Sequence, residues 1–211
     1  MYFAENNLVM NSGKYVFSQI IGLVSPTSFE TIVKRHFGEY KVKDFSCWKK
    51  FLCMTFGQLT HRESLRDTIM CLRANASKLY HLSIGEIVAI SILTSANENR
   101  SFLIYEDLAM LLIKEAKLLY LEDDDLEVHL KGNVFAIDST TIDLCLSSFC
   151  WATFRSSKSG IKLHPQIDLK MSIPEFILFT NASSHDVNAL DYIHFEANSF
   201  YVMDRGYVDY K

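Results

Sequence analysis

The sequence predicts a mixed α/β fold in which a helical region precedes a region of short strands. Apolar residues recur at helical spacing between residues 14 and 120. After residue 130, short apolar runs bounded by Gly, Pro, Asn and Ser replace that pattern. We therefore expect a helical domain over residues 1–130 and a β-rich domain over residues 131–211.

Helical spacing is clearest in two segments of the first domain. Residues 65–76 carry apolar side chains at intervals of four, three and four residues, which places them on one face of a helix. Thr60 and Glu63 fit a capping box ahead of this helix, in which a hydroxyl and a carboxylate bind the free N–H groups of the first turn. Residues 102–120 carry a broad apolar face and predict another helix.

Four runs in the second domain predict strands. Each combines apolar or alternating residues with turn-forming residues at its ends. The stretch between the third and fourth runs, residues 185–196, predicts a short helix or a loop. The predicted strands are residues 133–138, 160–169, 174–183 and 199–204.

The two parts of the chain differ in charge, although the net charge is only −4. Residues 1–120 contain 14 Lys and Arg against 11 Asp and Glu, whereas residues 121–211 contain 7 against 14. This asymmetry suits a protein in which one part meets phosphates and another gathers metal ions. We interpret the acidic run at residues 122–127 itself as a solvated linker.

Several classes of protein are excluded by what the sequence lacks. The first residues have no basic start followed by an apolar run, and no apolar stretch is long enough to cross a membrane. The five cysteines form no CxxC pair and indicate reduced thiols, so we expect a cytoplasmic protein. No glycine-rich phosphate-binding motif supports nucleotide binding.

Two predicted strands run directly into an aspartate. Residues 134–137 precede Asp138, and residues 200–203 precede Asp204. If the two strands are neighbours, the carboxylates meet, and a divalent cation such as Mg²⁺ or Mn²⁺ would offset their repulsion. Aspartate also ends many strands simply because it forms turns, and the spacing alone leaves both interpretations open.

Motifs around these aspartates resemble the catalytic core of DDE transposases of bacterial insertion sequences, in the family numbered four. Other segments resemble the helical region that precedes this core in that family. The resemblance covers roughly residues 10–211. The core motifs are FAIDSTTIDLCL (135–146), SGIKLH (159–164), HDVNAL (185–190) and YVMDRGYVDY (201–210), and the N-terminal ones are GKYVFSQ (13–19), CWKKFLCMTFGQLTHRESLRD (47–67) and SKLYHLSIG (77–85).

The resemblance implies an RNase H-like fold with Asp138 on its first strand and Asp204 on its fourth. It implies two Mg²⁺ (or Mn²⁺) ions that assist cleavage and joining of DNA phosphodiesters. Arg205 and Tyr207 match a motif whose side chains lie against DNA, although Arg205 could equally be an ordinary charged residue at a strand end. The implied partner is double-stranded DNA carrying terminal inverted repeats, bound in the bacterial nucleoid by a homodimer of the full-length protein.

The third acidic residue of the family, normally a Glu on a later helix, has no counterpart before Lys211. Asp143, Asp168, Asp186, Asp191 and Asp209 are poor substitutes because none is expected on that helix. We therefore expect a C-terminally truncated transposase with little strand-transfer activity of its own. The alternatives are a DNA-binding fragment that represses transposition and an unstable fragment with an exposed sheet edge.

Basic residues in the N-terminal domain are candidates for DNA contacts. We expect Lys49, Lys50, Arg62 and Arg66 to follow the phosphate backbone, although such a cluster is more often a solvated surface. The helices near residues 63–75 and 86–98 could form a helix-turn-helix-like reader. His164 and His185 could be metal ligands, but hydrogen-bonded structural histidines are the simpler interpretation.

Overall fold

Helices precede strands along the chain, and the computed structural model describes residues 15–82, 84–120, 131–144, 153–155 and 158–208. The mixed α/β class, with a helical N-terminal region and a partial mixed sheet, is confirmed. The helices are α1 (Val16–Ile21), α2 (Pro26–Arg35), α3 (Cys47–Leu59), α4 (Leu65–Ala74), α5 (Ile90–Asn99) and α6 (Leu103–Leu119). The strands are β1 (Val134–Ile137), β2 (Thr140–Leu144), β3 (Thr153–Arg155), β4 (Lys158–Asp168), β5 (Ile173–Asn181) and β6 (Phe200–Met203).

The chain divides into two compact units, residues 1–110 and 111–211. The division falls inside α6, whereas the change from helix to strand comes between Leu119 and Val134. In the second unit, Lys117 from the last turns of α6 forms an ion pair with Glu175 of β5. No helix in the described part of the chain is both long and apolar enough to span a membrane.

The core of the first unit forms around α3. Leu52 and Cys53 of this helix are fully buried, and Ile69, Leu72 and Leu93 from α4 and α5 join the same cluster. Apolar residues at intervals of three and four therefore face this core, as helical spacing requires.

The predicted capping box at Thr60 and Glu63 is wrong. Thr60 instead ends α3, where its hydroxyl donates to the carbonyl of Phe56 (2.7 Å). Ser64 caps α4 by accepting a hydrogen bond from the amide of Asp67 (3.1 Å). The sequence holds two such patterns one helical turn apart, and the fold uses the second.

The sheet is organised around β4, its longest strand. β5 and β1 both pair with β4 in the antiparallel sense, and β6 pairs with β1 in the parallel sense. The order β5–β4–β1–β6 with these directions agrees with the arrangement of the first four strands expected of an RNase H-like domain. β2 and β3, which also pair with β4, were not predicted.

β1 and β2 form one run along β4 with an interruption at Asp138. Ile137 pairs with Gln166 and Thr140 with Leu163, so no residue is inserted and Asp138 stands opposite Pro165. In an antiparallel pair, every second pair of opposed residues is hydrogen-bonded. The amide of Leu169 donates to the carbonyl of Val134 (2.8 Å), so the opposed pair Pro165 and Asp138, four positions along, should also be hydrogen-bonded. Proline has no N–H to donate, and the ladder is therefore interrupted at Asp138.

Gly132 fixes where β1 begins relative to β6. Its φ of +116° is accessible to glycine but strained for other residues. A Cβ there would lie 2.1 Å from the carbonyl oxygen of Asn198, so the two segments approach more closely than any side chain permits. Beyond this contact, the amide of Phe200 donates to the carbonyl of Asn133 (2.8 Å), which starts the parallel ladder.

Candidate functional site

Asp138 and Asp204 follow the last paired residues of two neighbouring parallel strands. Ile137 pairs with Met203, so each aspartate is the next residue beyond the same rung of the ladder. Neighbouring strands lie about 4.8 Å apart, and residues in step on parallel strands point to the same face. Both aspartates are exposed. The fold therefore brings together the two acids that the sequence singled out.

Local backbone amides orient both carboxylates. Oδ1 of Asp138 accepts a hydrogen bond from the amide of Ser139 (2.7 Å). Oδ1 of Asp204 accepts one from the amide of Gly206 (2.7 Å) and so caps the 3₁₀ turn Arg205–Tyr207. Neither carboxylate forms an ion pair with a cation in the described part of the chain. Two oriented carboxylates therefore lie on neighbouring strands, and no described ion pair compensates their charge.

A third carboxylate, Asp186, lies close to this pair. A Cβ built on Gly206 would be 3.0 Å from Oδ1 of Asp204 and 3.3 Å from Oδ2 of Asp186, so a side chain at this position would press on both carboxylates. Lys162 of β4 holds Asp186 through an ion pair (2.9 Å) and also donates to the carbonyl of Ser184 (3.0 Å). Sequence reasoning missed this pair because β4 and the 3₁₀ segment Asp186–Tyr192 are adjacent only in the fold.

The described part of the chain contains no group of three or more His, Cys, Asp or Glu side chains arranged to hold a metal ion. Asp186, the third carboxylate near the pair, is bound to Lys162 instead.

A buried hydrogen-bond network lies beneath the carboxylates. Tyr207 is 3% exposed and its hydroxyl lies 3.2 Å from Nδ1 of His164, while Nε2 of His164 lies 2.8 Å from the hydroxyl of Thr180. Ser139, which stands opposite His164 in the ladder, also bonds to the Tyr207 hydroxyl. The network joins β4, β5 and the turn after β6 to the residue that follows Asp138.

Burial sets the protonation states in this network. It lowers the pKa of His164, so the imidazole is neutral at neutral pH. It also raises the pKa of Tyr207 to about 12, so the phenol keeps its proton. A neutral ring carries one N–H, which suits Tyr207 donating to Nδ1 while Nε2–H donates to Thr180. His164 is therefore a hydrogen-bonded structural residue in this conformation.

The other predicted residues of this unit lie in contrasting places. Arg205 is exposed directly after Asp204 and is free to meet a phosphate. Tyr207 is buried, so its side chain does not present a surface to DNA. His185 is exposed just before the Asp186–Tyr192 turn. Asp209 lies outside the described residues.

Lys50, predicted to contact DNA, is only 3% exposed. Its ammonium lies 4.8 Å from the centre of the Tyr105 ring, and burial lowers its pKa. This arrangement is a cation–π contact inside the helical unit, and it does not offer a charge to a DNA backbone.

The other three basic residues that were predicted to contact DNA lie in environments different from that of Lys50. Lys49 is half-buried on α3, whereas Arg66 is exposed on α4. Arg62 donates through Nε to the carbonyl of Thr60 (2.8 Å), and its Nη1 is 3.7 Å from Asp67. The four lysines and arginines therefore do not form one continuous exposed patch.

Two family models match separate parts of the chain. The family described as Transposase DDE domain matches residues 129–211, which include β1 to β6. A domain of unknown function, DUF4372, matches residues 12–84. No curated protein and no solved structure matches the chain. The two family matches, a domain of unknown function followed by a transposase DDE domain, are consistent with a DDE transposase of insertion sequences.

Proposed function

We propose that Asp138 and Asp204 are metal ligands of a transposase core that cuts and joins DNA phosphodiesters. The observation that carries this proposal is the parallel ladder in which Ile137 pairs with Met203, because it sets both carboxylates at the same point of neighbouring strands. DDE transposases generally depend on divalent metal ions.

The donor set fits Mg²⁺ or Mn²⁺. Both side chains offer hard oxygen ligands, both are exposed, and their mutual repulsion is not offset by a described ion pair. When bound, such ions activate an attacking hydroxyl and stabilise the leaving oxygen of an in-line displacement. The chain's own part is to hold the ligands in place.

Residues around the pair serve that positioning. The amides of Ser139 and Gly206 fix one oxygen of each carboxylate, which leaves the other oxygen for a cation. The bond between Tyr207 and His164 ties the turn after Asp204 to β4. Arg205, exposed beside Asp204, is suited to bind a DNA phosphate near the reacting bond.

We further propose that this chain joins DNA poorly by itself. Two carboxylates hold two cations weakly, and two other described carboxylates of the same unit are otherwise engaged. Asp186 is bound by Lys162. Asp168 is 2% exposed, and its Oδ1 accepts the amides of Lys170 and Met171. The proposed partner is duplex DNA with the terminal inverted repeats of the element, engaged by a dimer.

Manganese binding tests the ligand assignment. Titration of the chain with Mn²⁺, followed by loss of the free-ion electron paramagnetic resonance signal, should reveal at least one bound ion. Asp138→Asn and Asp204→Asn should each weaken binding. Asp191→Asn removes an exposed carboxylate of the Asp186–Tyr192 turn and serves as the matched control. Equal Mn²⁺ affinity in Asp138→Asn and the parent chain would refute the assignment.

A further inference from the structure

A cleft of about 710 Å³ opens on the helical unit between residues 36–45, which connect α2 to α3, and one face of α5. Three of its lining residues, Lys41, Lys43 and Arg100, are cationic. None of the described lining residues is acidic. A concave surface with one sign of charge concentrates ions of the opposite sign, so the cleft favours an anionic ligand.

The α5 side of the cleft includes a row of short polar side chains. Ser91, Ser95 and Asn99 recur every four residues, line the cleft and are exposed. Short side chains at this spacing allow a polymer backbone to approach the helix, and the Ser91 and Ser95 hydroxyls can donate to phosphate oxygens. The side-chain amide of Asn99 donates to the carbonyl (2.8 Å) and hydroxyl (3.3 Å) of Ser95.

Arg100 directly follows Asn99 at the end of α5, and one of its guanidinium N–H donors forms no hydrogen bond in the described part of the chain. Its guanidinium lies 5.4 Å from the centre of the Phe45 ring, and its Nη2 donates to the carbonyl of the same residue. Its Nη1 is buried and has no hydrogen-bond partner in the described part of the chain. A buried donor without a partner is unfavourable by about 1–3 kcal/mol, so Arg100 contributes positive charge beside the cleft at a cost to stability.

Phe37 occupies a backbone position that ordinarily belongs to glycine. It follows the end of α2, where the amide of Gly38 bonds to the carbonyl of Val33 and the amide of Phe37 to that of Lys34. This pattern requires the left-handed conformation, and Phe37 has φ +51°. Its ring is nevertheless 80% exposed, so it gains little from burial to offset the strain. An exposed aromatic ring kept at a strained position indicates a function other than stability.

Tyr40 adds a second exposed ring on the same side of the cleft. It is 72% exposed, and the ammonium of Lys41, itself at φ +57°, lies 5.2 Å from its centre. Aromatic rings beside cations are the combination by which proteins hold unpaired bases while their phosphates are neutralised.

We infer that this cleft binds a DNA strand, with Lys41 and Lys43 on phosphates and Phe37 and Tyr40 against an unpaired base, and with Arg100 adding to the positive potential. The inference rests on the proposed role in DNA transposition and gives the helical domain a DNA contact other than the predicted ones at Lys49 and Lys50. It also assigns a ligand to a surface that lies partly inside the segment matched by the domain of unknown function.

Fluorescence anisotropy with the full chain tests the stacking contact. The probes are a labelled duplex of arbitrary sequence and the same duplex with an unpaired thymidine tail. Phe37→Gly should weaken binding to the tailed probe by about fivefold or more, because one base stack is lost. Its melting temperature should be equal to or higher than that of the parent, because glycine relieves the strain. Tyr80→Ser, at an 82% exposed ring elsewhere on the unit, is the matched control.

The phosphate contacts are tested by salt dependence. Lys41→Gln combined with Lys43→Gln should reduce the slope of log affinity against log salt concentration by about two, one for each lost phosphate contact. Lys34→Gln, a 73% exposed lysine outside the cleft, should leave the slope unchanged. Parent-like binding by Phe37→Gly, or a parent-like slope in the double variant, would overturn the inference.

The same measurements separate this inference from the proposed function. A chain that binds both probes but is insensitive to the cleft substitutions retains its role in DNA binding and refutes only the cleft. A chain that binds neither probe yet binds Mn²⁺ through Asp138 and Asp204 also refutes the cleft, while the ligand assignment stands. A chain that binds neither the DNA probes nor Mn²⁺ refutes both proposals.

Discussion

Replacing Tyr207 by phenylalanine isolates the hydrogen bonds beneath the carboxylate pair. The ring is 3% exposed and is retained in the variant, so little apolar burial is lost and no large cavity forms. What disappears is the hydroxyl that bonds to Nδ1 of His164 and to Ser139. The buried acceptor on His164 then has no partner, and the free energy of unfolding should fall by about 1–3 kcal/mol.

Urea unfolding followed by circular dichroism measures this change, with an unchanged m-value as evidence that the folded state keeps its compactness. Hydrogen exchange of peptides from β4 and β6 localises the effect to the second unit. Thr180→Val removes the other bond of His164 and should couple with Tyr207→Phe, because both act through one ring. A loss below about 0.5 kcal/mol in Tyr207→Phe would show that the network does not stabilise the site.

Three further predictions follow from the same contacts. Burial lowers the pKa of His164 in the folded chain below its usual 6.5, so the unfolded chain binds this proton more readily. The free energy of unfolding should therefore fall as the pH drops below about 6.5. His164→Gln should flatten that part of a plot of melting temperature against pH. Gly206→Ala should weaken Mn²⁺ binding roughly fivefold without changing the far-ultraviolet spectrum, because its Cβ would press on Asp204 and Asp186; parent-like affinity would contradict the packing argument. Lys50→Met should leave DNA affinity unchanged and keep or raise the melting temperature, since the buried ammonium meets a ring rather than a phosphate; a clear loss in a binding titration would restore Lys50 as a DNA contact.

The strands that end at the carboxylates were predictable because their patterns are local. An apolar run that stops at an aspartate marks both a buried strand and its exit, and β1 and β6 end directly before Asp138 and Asp204. Pairing of the two strands is not local, since 65 residues lie between Ile137 and Met203 along a chain that turns several times. Before the structure, only the family resemblance indicated that β1 and β6 are neighbouring strands.

The contacts around the carboxylates were beyond sequence reasoning for the same reason. His164 and Tyr207 carry no pattern that joins them, and their hydrogen bond depends on how β4 and the turn after β6 lie. Lys50 was misplaced because charge predicts exposure, whereas its long stem lets the ammonium reach the Tyr105 ring from a buried position on α3.

The close approach at Gly132 lets a residue far from the two carboxylates determine how they are aligned. Asp138 lies six positions, or roughly 20 Å of extended chain, beyond Gly132. A side chain there would drive the two segments apart at their shared origin, and a slip of β6 by a single residue would turn one acid towards the opposite face of the sheet. A conservative-looking exchange at Gly132 is therefore expected to misalign the proposed ligands Asp138 and Asp204 without changing either aspartate.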